Sequence, residues 1–295
     1  MSAPQDADAD YSVTVEEVPE RLDEQHDITT KILGFLIHPN IPTTASPTLK
    51  VADIGCGTGV WLLDVAKTLP PTCQLVGYDK SASALPAPQT VPANVSFKIH
   101  DMMQPFPASE LGTYDIVAAR FVSSASTRAE WTRAAGNLAT LLKPGGWLQW
   151  IDSCNFSLYC STPGTSRRAC KEIYDGMQPF RAKDDLVIGI MMRELAAGAG
   201  GMGREDVLRG LGLVDVHEDV FSTDRLQDGA LDLRDKSTRN IMDCYIGCLE
   251  ELAGVEGSGW DKERIARLRE EAWREIDAGV YHTLDQVCIV GRKAG

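Results

Sequence analysis

No apolar run in the chain approaches the roughly 18 residues that a membrane-spanning helix needs, so no such span is expected. Basic blocks are missing too: 29 Lys and Arg stand against 42 Asp and Glu, a formal net charge of -13. Nucleic-acid affinity comes from lysines and arginines that displace phosphate counterions, so no nucleic-acid partner is expected. An acidic surface is likewise repelled by anionic lipid, which excludes a membrane partner of that kind. None of the eight cysteines forms a C-x-x-C pair, and 295 residues bury a core large enough to stand without disulfide staples. Cys244 and Cys248, one helical turn apart, read as two small apolar thiols on a helix face, and no metal is expected. The start, Met1 to Tyr11, has neither the apolar core of a secretory signal nor the basic character of a transit peptide, and 1–14 reads as a disordered tail. No repeat or low-complexity tract is visible. These exclusions leave a reduced, cytoplasmic globular protein with a small molecule as its partner, and no feature sets an oligomeric state.

The middle of the chain alternates short β-branched runs with helical stretches, the rhythm of parallel βα units. Strands are expected at Leu49–Ile54, Gln74–Tyr78, Val95–Ile99, Tyr114–Ala119 and Trp147–Ile151. A helix over Gly59–Leu69 follows the first strand. Another, about Arg128–Leu142, stops at Lys143-Pro144-Gly145-Gly146. Beyond Ser153 the rhythm breaks into a helical, irregular stretch to Gly200. A short helix (Arg204–Leu211), a sixth strand (Val214–Phe221), a long helical stretch (Leu233–Ala278) and a last strand (Thr283–Val290) complete the chain. The core is therefore assigned to 47–152, 201–222 and 280–295. An N-terminal helical segment, 15–46 with its helix near Arg21–Ile37, and two helical inserts, 153–200 and 223–279, are assigned to one lid. Connections of that length are usually functional.

Chemistry concentrates at Val51-Ala52-Asp53-Ile54-Gly55-Cys56-Gly57-Thr58-Gly59-Val60-Trp61, a glycine turn between a strand and a helix. Glycine turns also serve dinucleotides, so two carboxylates decide the ligand. Asp53 lies just before the first glycine, where it repels a pyrophosphate and suits an ammonium. Gly55, Gly57 and Gly59 also miss the G-x-G-x-x-G spacing. Asp79 closes the second strand, with Lys80 after it, and is placed to accept ribose hydroxyls; otherwise both aspartates only stabilise turns. Asp101 and Met102 follow the third strand at the sheet's carboxyl edge, where an adenine amino group and ring face fit them. Arg120 and Phe121 end the fourth strand at that edge. S-adenosylmethionine is the cofactor with this set of groups.

The sequence resembles the class I S-adenosylmethionine-dependent methyltransferases, and among them the fungal secondary-metabolism group of LaeA-like and SirN-like enzymes. The resemblance is carried by Arg21-Leu22-x-x-Gln25-His26, Leu36-Ile37-His38-Pro39, Val51 to Trp61, Pro92-Ala93-Asn94-Val95, Leu141 to Trp150, and Val290-Gly291-Arg292-Lys293. It implies an α/β, Rossmann-like sheet of seven mostly parallel strands with the last antiparallel. It also implies that Asp53 and the three glycines hold the methionine part, Asp79 the ribose, and Asp101 with Met102 the adenine, while Gln25 and His26 cover the cofactor. One departure stands out. Arg120-Phe121-Val122-Ser123 replaces the Asn/Asp-Pro-Pro-Tyr/Phe motif, which disfavours a planar base or amide nitrogen as acceptor.

Methyl transfer from a sulfonium needs a base only when the acceptor arrives protonated. His26, His38, His100, His217 and His282 are the histidines available, and His26 is preferred because its helix covers the cofactor. Trp150 and Asp152 stand at the end of strand five, Asp152 as base or orienting group and Trp150 as a substrate contact. Asn155, Tyr159 and Arg168 are further substrate contacts. The expected activity is methylation of an oxygen, nitrogen or sulfur of a small natural product. Two alternatives remain open: a non-methylating rearrangement, cyclisation or regulatory role on the same fold, and a protein methyltransferase with an open acceptor groove.

Overall fold

The computed structural model describes residues 19–44, 46–122, 128–177, 204–223, 231–253, 255 and 258–295. The proposed tail 1–14 and the glycine-rich stretch 198–203 lie outside them. Seven strands form one sheet: β1 (Lys50–Ile54), β2 (Gln74–Asp79), β3 (Val95–Ile99), β4 (Tyr114–Arg120), β5 (Leu142–Cys160), β6 (Leu213–Ser222) and β7 (Val280–Lys293). Their order is β3-β2-β1-β4-β5-β7-β6. Pairs β1–β2, β1–β4, β2–β3 and β4–β5 are parallel, and β7 runs antiparallel to both β5 and β6. This is the Rossmann-like sheet with an antiparallel last strand that the resemblance implies.

Strand β1 shows why the sheet is central. Its residues from Val51 to Ile54 are all buried, because a strand flanked by parallel neighbours is covered on both faces. Val51 belongs to the apolar cluster with Trp61, Leu62 and Val65 of α2 (Val60–Thr68), and Ala52 to the opposite cluster with Trp131 and Leu138 of α3 (Arg128–Leu141). Alternate side chains thus feed two cores. The chain adds β2 and β3 on one side of β1 and then β4 on the other, so the order reverses between β1 and β4. In open α/β sheets the crevice beyond the carboxyl ends of such strands is where ligands bind.

Among the described residues the other α-helices are α1 (Pro19–Leu33), α4 (Arg168–Gly176), α5 (Arg204–Gly210), α6 (Leu231–Leu252) and α7 (Lys262–Asp277). A third apolar cluster joins Ala169, Cys170 and Ile173 of α4 to Met242, Ile246 and Leu249 of α6 and to Ile265, Leu268 and Ile276 of α7. It has its own core, separate from the two faces of the sheet.

Two strands are longer than the sequence pattern suggests. β5 extends past Ile151 to Cys160 and β7 begins at Val280, before Thr283, because each supplies the other's backbone partners: Leu158 with His282, Tyr159 with Tyr281, Cys160 with Val280. Residues 153–160 are therefore strand, which corrects the helical reading of that stretch. The ribbon carries Val280 into the third cluster, so the helical layer is attached to the sheet through β5 and β7. At the other end of β5, the register jumps between Tyr114–Leu142 and Ile116–Trp147. Gly146 sits in that irregularity with the Tyr114 carbonyl 2.7 Å from where a Cβ would stand, so glycine is needed for the approach.

Candidate functional site

The glycine turn is built by hydrogen bonds to the end of β2. Gly55 N–H and Cys56 N–H both donate to the Tyr78 carbonyl, at 2.8 and 3.1 Å. Gly57 N–H donates to Asp79 Oδ2 at 2.9 Å. Gly59 caps α2 at φ 73°, a left-handed conformation that side chains resist. The space freed by the missing side chains is filled from within the protein. A Cβ on Gly55 would stand 2.3 Å from Val122, one on Gly57 3.1 Å from Leu22, and one on Gly59 2.4 Å from Phe97. These glycines therefore let β3, α1 and the segment after β4 close around the turn. Thr58 also donates to Asp23 of α1 at 2.6 Å, a second tie between helix and turn.

Asp53 sits at the end of β1, 2% exposed, and its Oδ2 has no hydrogen-bond partner among the described residues. Burial pushes its carboxyl up to about 7, against the pull of the nearby Arg120 guanidinium and with a further push from Asp79. Arg120, at the end of β4, is drawn down to about 10 by burial, with Asp53 and Asp64 opposing. Its guanidinium lies 5.5 Å from the Trp61 ring and its Nε also lacks a partner among the described residues. Buried polar atoms are normally satisfied. An unfilled carboxylate oxygen and an unfilled guanidinium N–H beside a glycine turn match the two charges of an amino acid.

Arg120 Nη1 is 3.1 Å from His26 Nδ1, and His26 Nε2 is 2.9 Å from Asp64 Oδ2 on α2. A guanidinium only donates, so Nδ1 accepts and Nε2 carries the proton that goes to Asp64. Burial, and then Arg120, lower the His26 pKa, against the carboxylates of Asp64 and Asp27. His26 is only 5% exposed. Gln25, its neighbour on α1, is half-buried.

Asp79 spends Oδ2 on Gly57 and Oδ1 on the Ser81 N–H, at 2.9 and 3.0 Å, so it does fasten the turn. Each oxygen retains a lone pair for a further donor. Lys80 beside it is exposed. Asp101 accepts from Met103 N–H at 2.9 Å, and the Met102 carbonyl accepts from Asn137 at 2.8 Å while its side chain packs on the sheet core. Phe121 adopts φ 54°, rare for a side chain of that size, immediately after β4.

Other sequence candidates fall in varied places. Trp150 is 0% exposed, packed 5.0 Å from Trp131, with its indole N–H 2.7 Å from Asp152 Oδ2. Burial makes it a core residue that orients Asp152, which corrects its reading as a substrate contact. Asp152 is buried just past Ile151, the β5 partner of Arg120. Tyr159 stacks on Tyr281 at 5.7 Å on the ribbon, and Arg168 pairs with Glu172 and Glu271 in the helical layer. The Asn155 side chain lies outside the described residues. Among the other histidines, His38 bonds Asp219 at 2.8 Å and His217 bonds the same carboxylate at 3.1 Å; His100 packs on Phe106, and His282 is buried in β7. Among the described residues no group of three or more His, Cys, Asp or Glu is arranged to hold a metal, and no helix is long and apolar enough to cross a membrane.

Sequence reasoning passed over Asp64 and Phe97, and named Leu22 only within the N-terminal motif, with no role. Asp64 stands three residues after Trp61 on α2, a spacing that puts both on one helix face. Leu22 and Phe97 carry no local sign, since their partner is the glycine turn.

Residues 52–148 match the family model of the methyltransferase domain. Methyltransferase grgD of a Penicillium species is 36% identical over 159 residues, 52% of this chain and 55% of that protein. N-methyltransferase sirN of Leptosphaeria maculans is 42% identical over 132 residues, 45% of each. N-methyltransferase tcpN of Claviceps purpurea is 29% identical over 202 residues, 68% of this chain and 67% of that protein. The chain spans about half the length of the first two of these relatives. Residues 52–148, which carry the glycine turn and the central strands of the sheet, thus match a methyltransferase domain, and fungal methyltransferases are among the proteins similar to this chain over part of their length.

Proposed function

We propose that the chain methylates a nitrogen, oxygen or sulfur of a small natural product, with an amine-type nitrogen favoured. The observation that carries this is Asp53, a buried carboxylate with an open acceptor oxygen beside Arg120 at the sheet's switch point. Two relatives named as N-methyltransferases support nitrogen. The missing Asn/Asp-Pro-Pro-Tyr/Phe motif after β4 argues against a planar base or amide.

S-adenosylmethionine supplies a methyl group on a sulfonium, ready for in-line displacement. The protein's part is to hold, orient and dry the site. Asp53 takes the ammonium and Arg120 the carboxylate of the amino-acid end. Asp79 accepts from the ribose, and Asp101 and Met102 flank the adenine, with Gln25 and Phe121 closing the site. Asp152, fixed by the Trp150 indole, is assigned to accept a proton from the acceptor or to orient it.

We assign helices α1, α4, α6 and α7 to a lid over the carboxyl edge. In support, Asn240 of α6 donates to the Arg21 carbonyl of α1 at 3.0 Å, so the N-terminal helix and the second insert touch. A reducing, cytoplasmic location is proposed on the seven described cysteines, all free.

The test is incubation of the purified protein with S-adenosylmethionine and fractionated metabolite extracts, read by mass spectrometry. A product heavier by one methyl group is expected. Cofactor binding with no methylated product in any extract, under conditions where a control methyltransferase works, would favour the non-methylating alternative.

A further inference from the structure

His26 attracts attention as a base because its helix lies over the glycine turn. Both of its ring nitrogens are already committed, however: Nδ1 accepts from Arg120 at 3.1 Å and Nε2 donates to Asp64 at 2.9 Å. A base needs a free lone pair facing the acceptor. Here the one lone pair of the neutral ring is held by a guanidinium that cannot release it as an acceptor would.

The chain of contacts runs across three elements. Asp64 on α2 is held by Lys67 at 2.6 Å as well as by His26. His26 on α1 links it to Arg120 at the end of β4, and Arg120 interacts electrostatically with Asp53 on β1. Trp61 of α2 lies 5.5 Å from the guanidinium. Among the described residues, His26 is the hydrogen-bond partner of the Arg120 fork, and it fixes the plane of the guanidinium from one side. The charged groups facing His26 are Asp64 and its partner Lys67 from α2, Arg120 from β4, and Asp27 from α1 itself.

We propose that His26 is a positioning residue: as a neutral acceptor it aims Arg120 at the carboxylate of the cofactor's amino-acid end, and through Asp64 it latches α1 over that site. The inference rests on the cofactor reading of Asp53 and Arg120. Protonation of His26 would set two cations against each other and undo the latch, in line with a ring held neutral by burial and by Arg120.

Two substitutions separate the two nitrogens. His26→Asn can place an amide oxygen near the Nδ1 position and keep the bond from Arg120. His26→Gln reaches the Nε2 position, keeps a donor to Asp64 and loses the acceptor for Arg120. Calorimetry with S-adenosylhomocysteine is expected to show His26→Gln weakened at least about tenfold, as for a lost hydrogen bond to a charged group, and His26→Asn weakened by a smaller factor, because it keeps the bond from Arg120 and loses only the latch to Asp64. Nitrogen-15 chemical shifts of the cofactor-free wild type near neutral pH are expected to show a neutral ring protonated at Nε2, a readout independent of any variant's folding. Wild-type affinity in both variants, or a ring protonated at Nδ1, overturns the proposal while leaving the cofactor reading intact. A wild-type protein that binds neither S-adenosylhomocysteine nor S-adenosylmethionine overturns both.

Discussion

Gly59 shows at residue scale how the site is shaped from inside. Alanine there meets two penalties: a left-handed backbone at φ 73°, about 1–2 kcal/mol, and overlap with Phe97, about 1–3 kcal/mol more. Gly59→Ala is therefore expected to lower unfolding free energy by about 2–5 kcal/mol in urea titrations, and adding Phe97→Leu should restore the overlap part only. Asp53 gives a pH prediction. Its carboxyl holds a proton up to about 7 in the folded, cofactor-free protein, whereas the ordinary value is 3.8. Its contribution to stability is full below about 4 and lost as pH rises towards 7. An ammonium ligand favours the ionised form, so affinity for S-adenosylhomocysteine is expected to fall by up to about tenfold per pH unit below 7. Asp53→Asn should abolish most of that slope along with most of the affinity. The position of Asp53, the glycines and Asp79 was legible in the sequence because a strand end followed by a glycine turn is a local pattern. The Asp64–His26–Arg120 contacts were not, since they join residues 38 and 94 positions apart.

At the scale of elements, α4 is the dependent one. Its own N-cap, Arg167, offers no side-chain hydrogen bond to the helix start. Glu275 of α7 takes that place, accepting from the N–H groups of Ala169 and Cys170 at 3.1 and 2.9 Å and from Ser166 Oγ at 2.7 Å. Burial pushes the Glu275 carboxyl up, but those donors outweigh it and hold the net value below the ordinary 4.5. Its stabilising effect is present above the unfolded value and lost as pH falls through the folded one. Glu275→Gln is expected to cost about 1.5–3 kcal/mol, read by thermal or urea unfolding at neutral pH and narrowing under acid. An unchanged midpoint would remove Glu275 as the cap. Helices α2 and α3 and the strands β1 to β4 could be read to within a residue or two, because apolar periodicity is local. The extensions of β5 and β7 could not, because Cys160 and Val280 define each other as strand from 120 positions apart.

Over the whole molecule, sheet and helical layer have separate cores joined by the β5–β7 ribbon and by the contacts of α1 with α6. That arrangement suits a layer that closes as a unit. Hydrogen exchange is expected to slow around Glu172 and Met242 when S-adenosylhomocysteine binds; equal protection with and without it would contradict a lid. The α/β class was legible in the alternation of elements, and the antiparallel last strand only as what the resemblance implied. Acceptor choice was not, because it depends on how distant helices converge over the edge of the sheet. The central claim is that Asp53 and Arg120 hold the amino-acid end of S-adenosylmethionine, and titration calorimetry with S-adenosylhomocysteine tests it most directly. Wild type should bind, and Asp53→Asn and Arg120→Met should each weaken binding at least about tenfold, as expected for losing a charge-assisted hydrogen bond. Wild-type affinity in both variants would contradict the account.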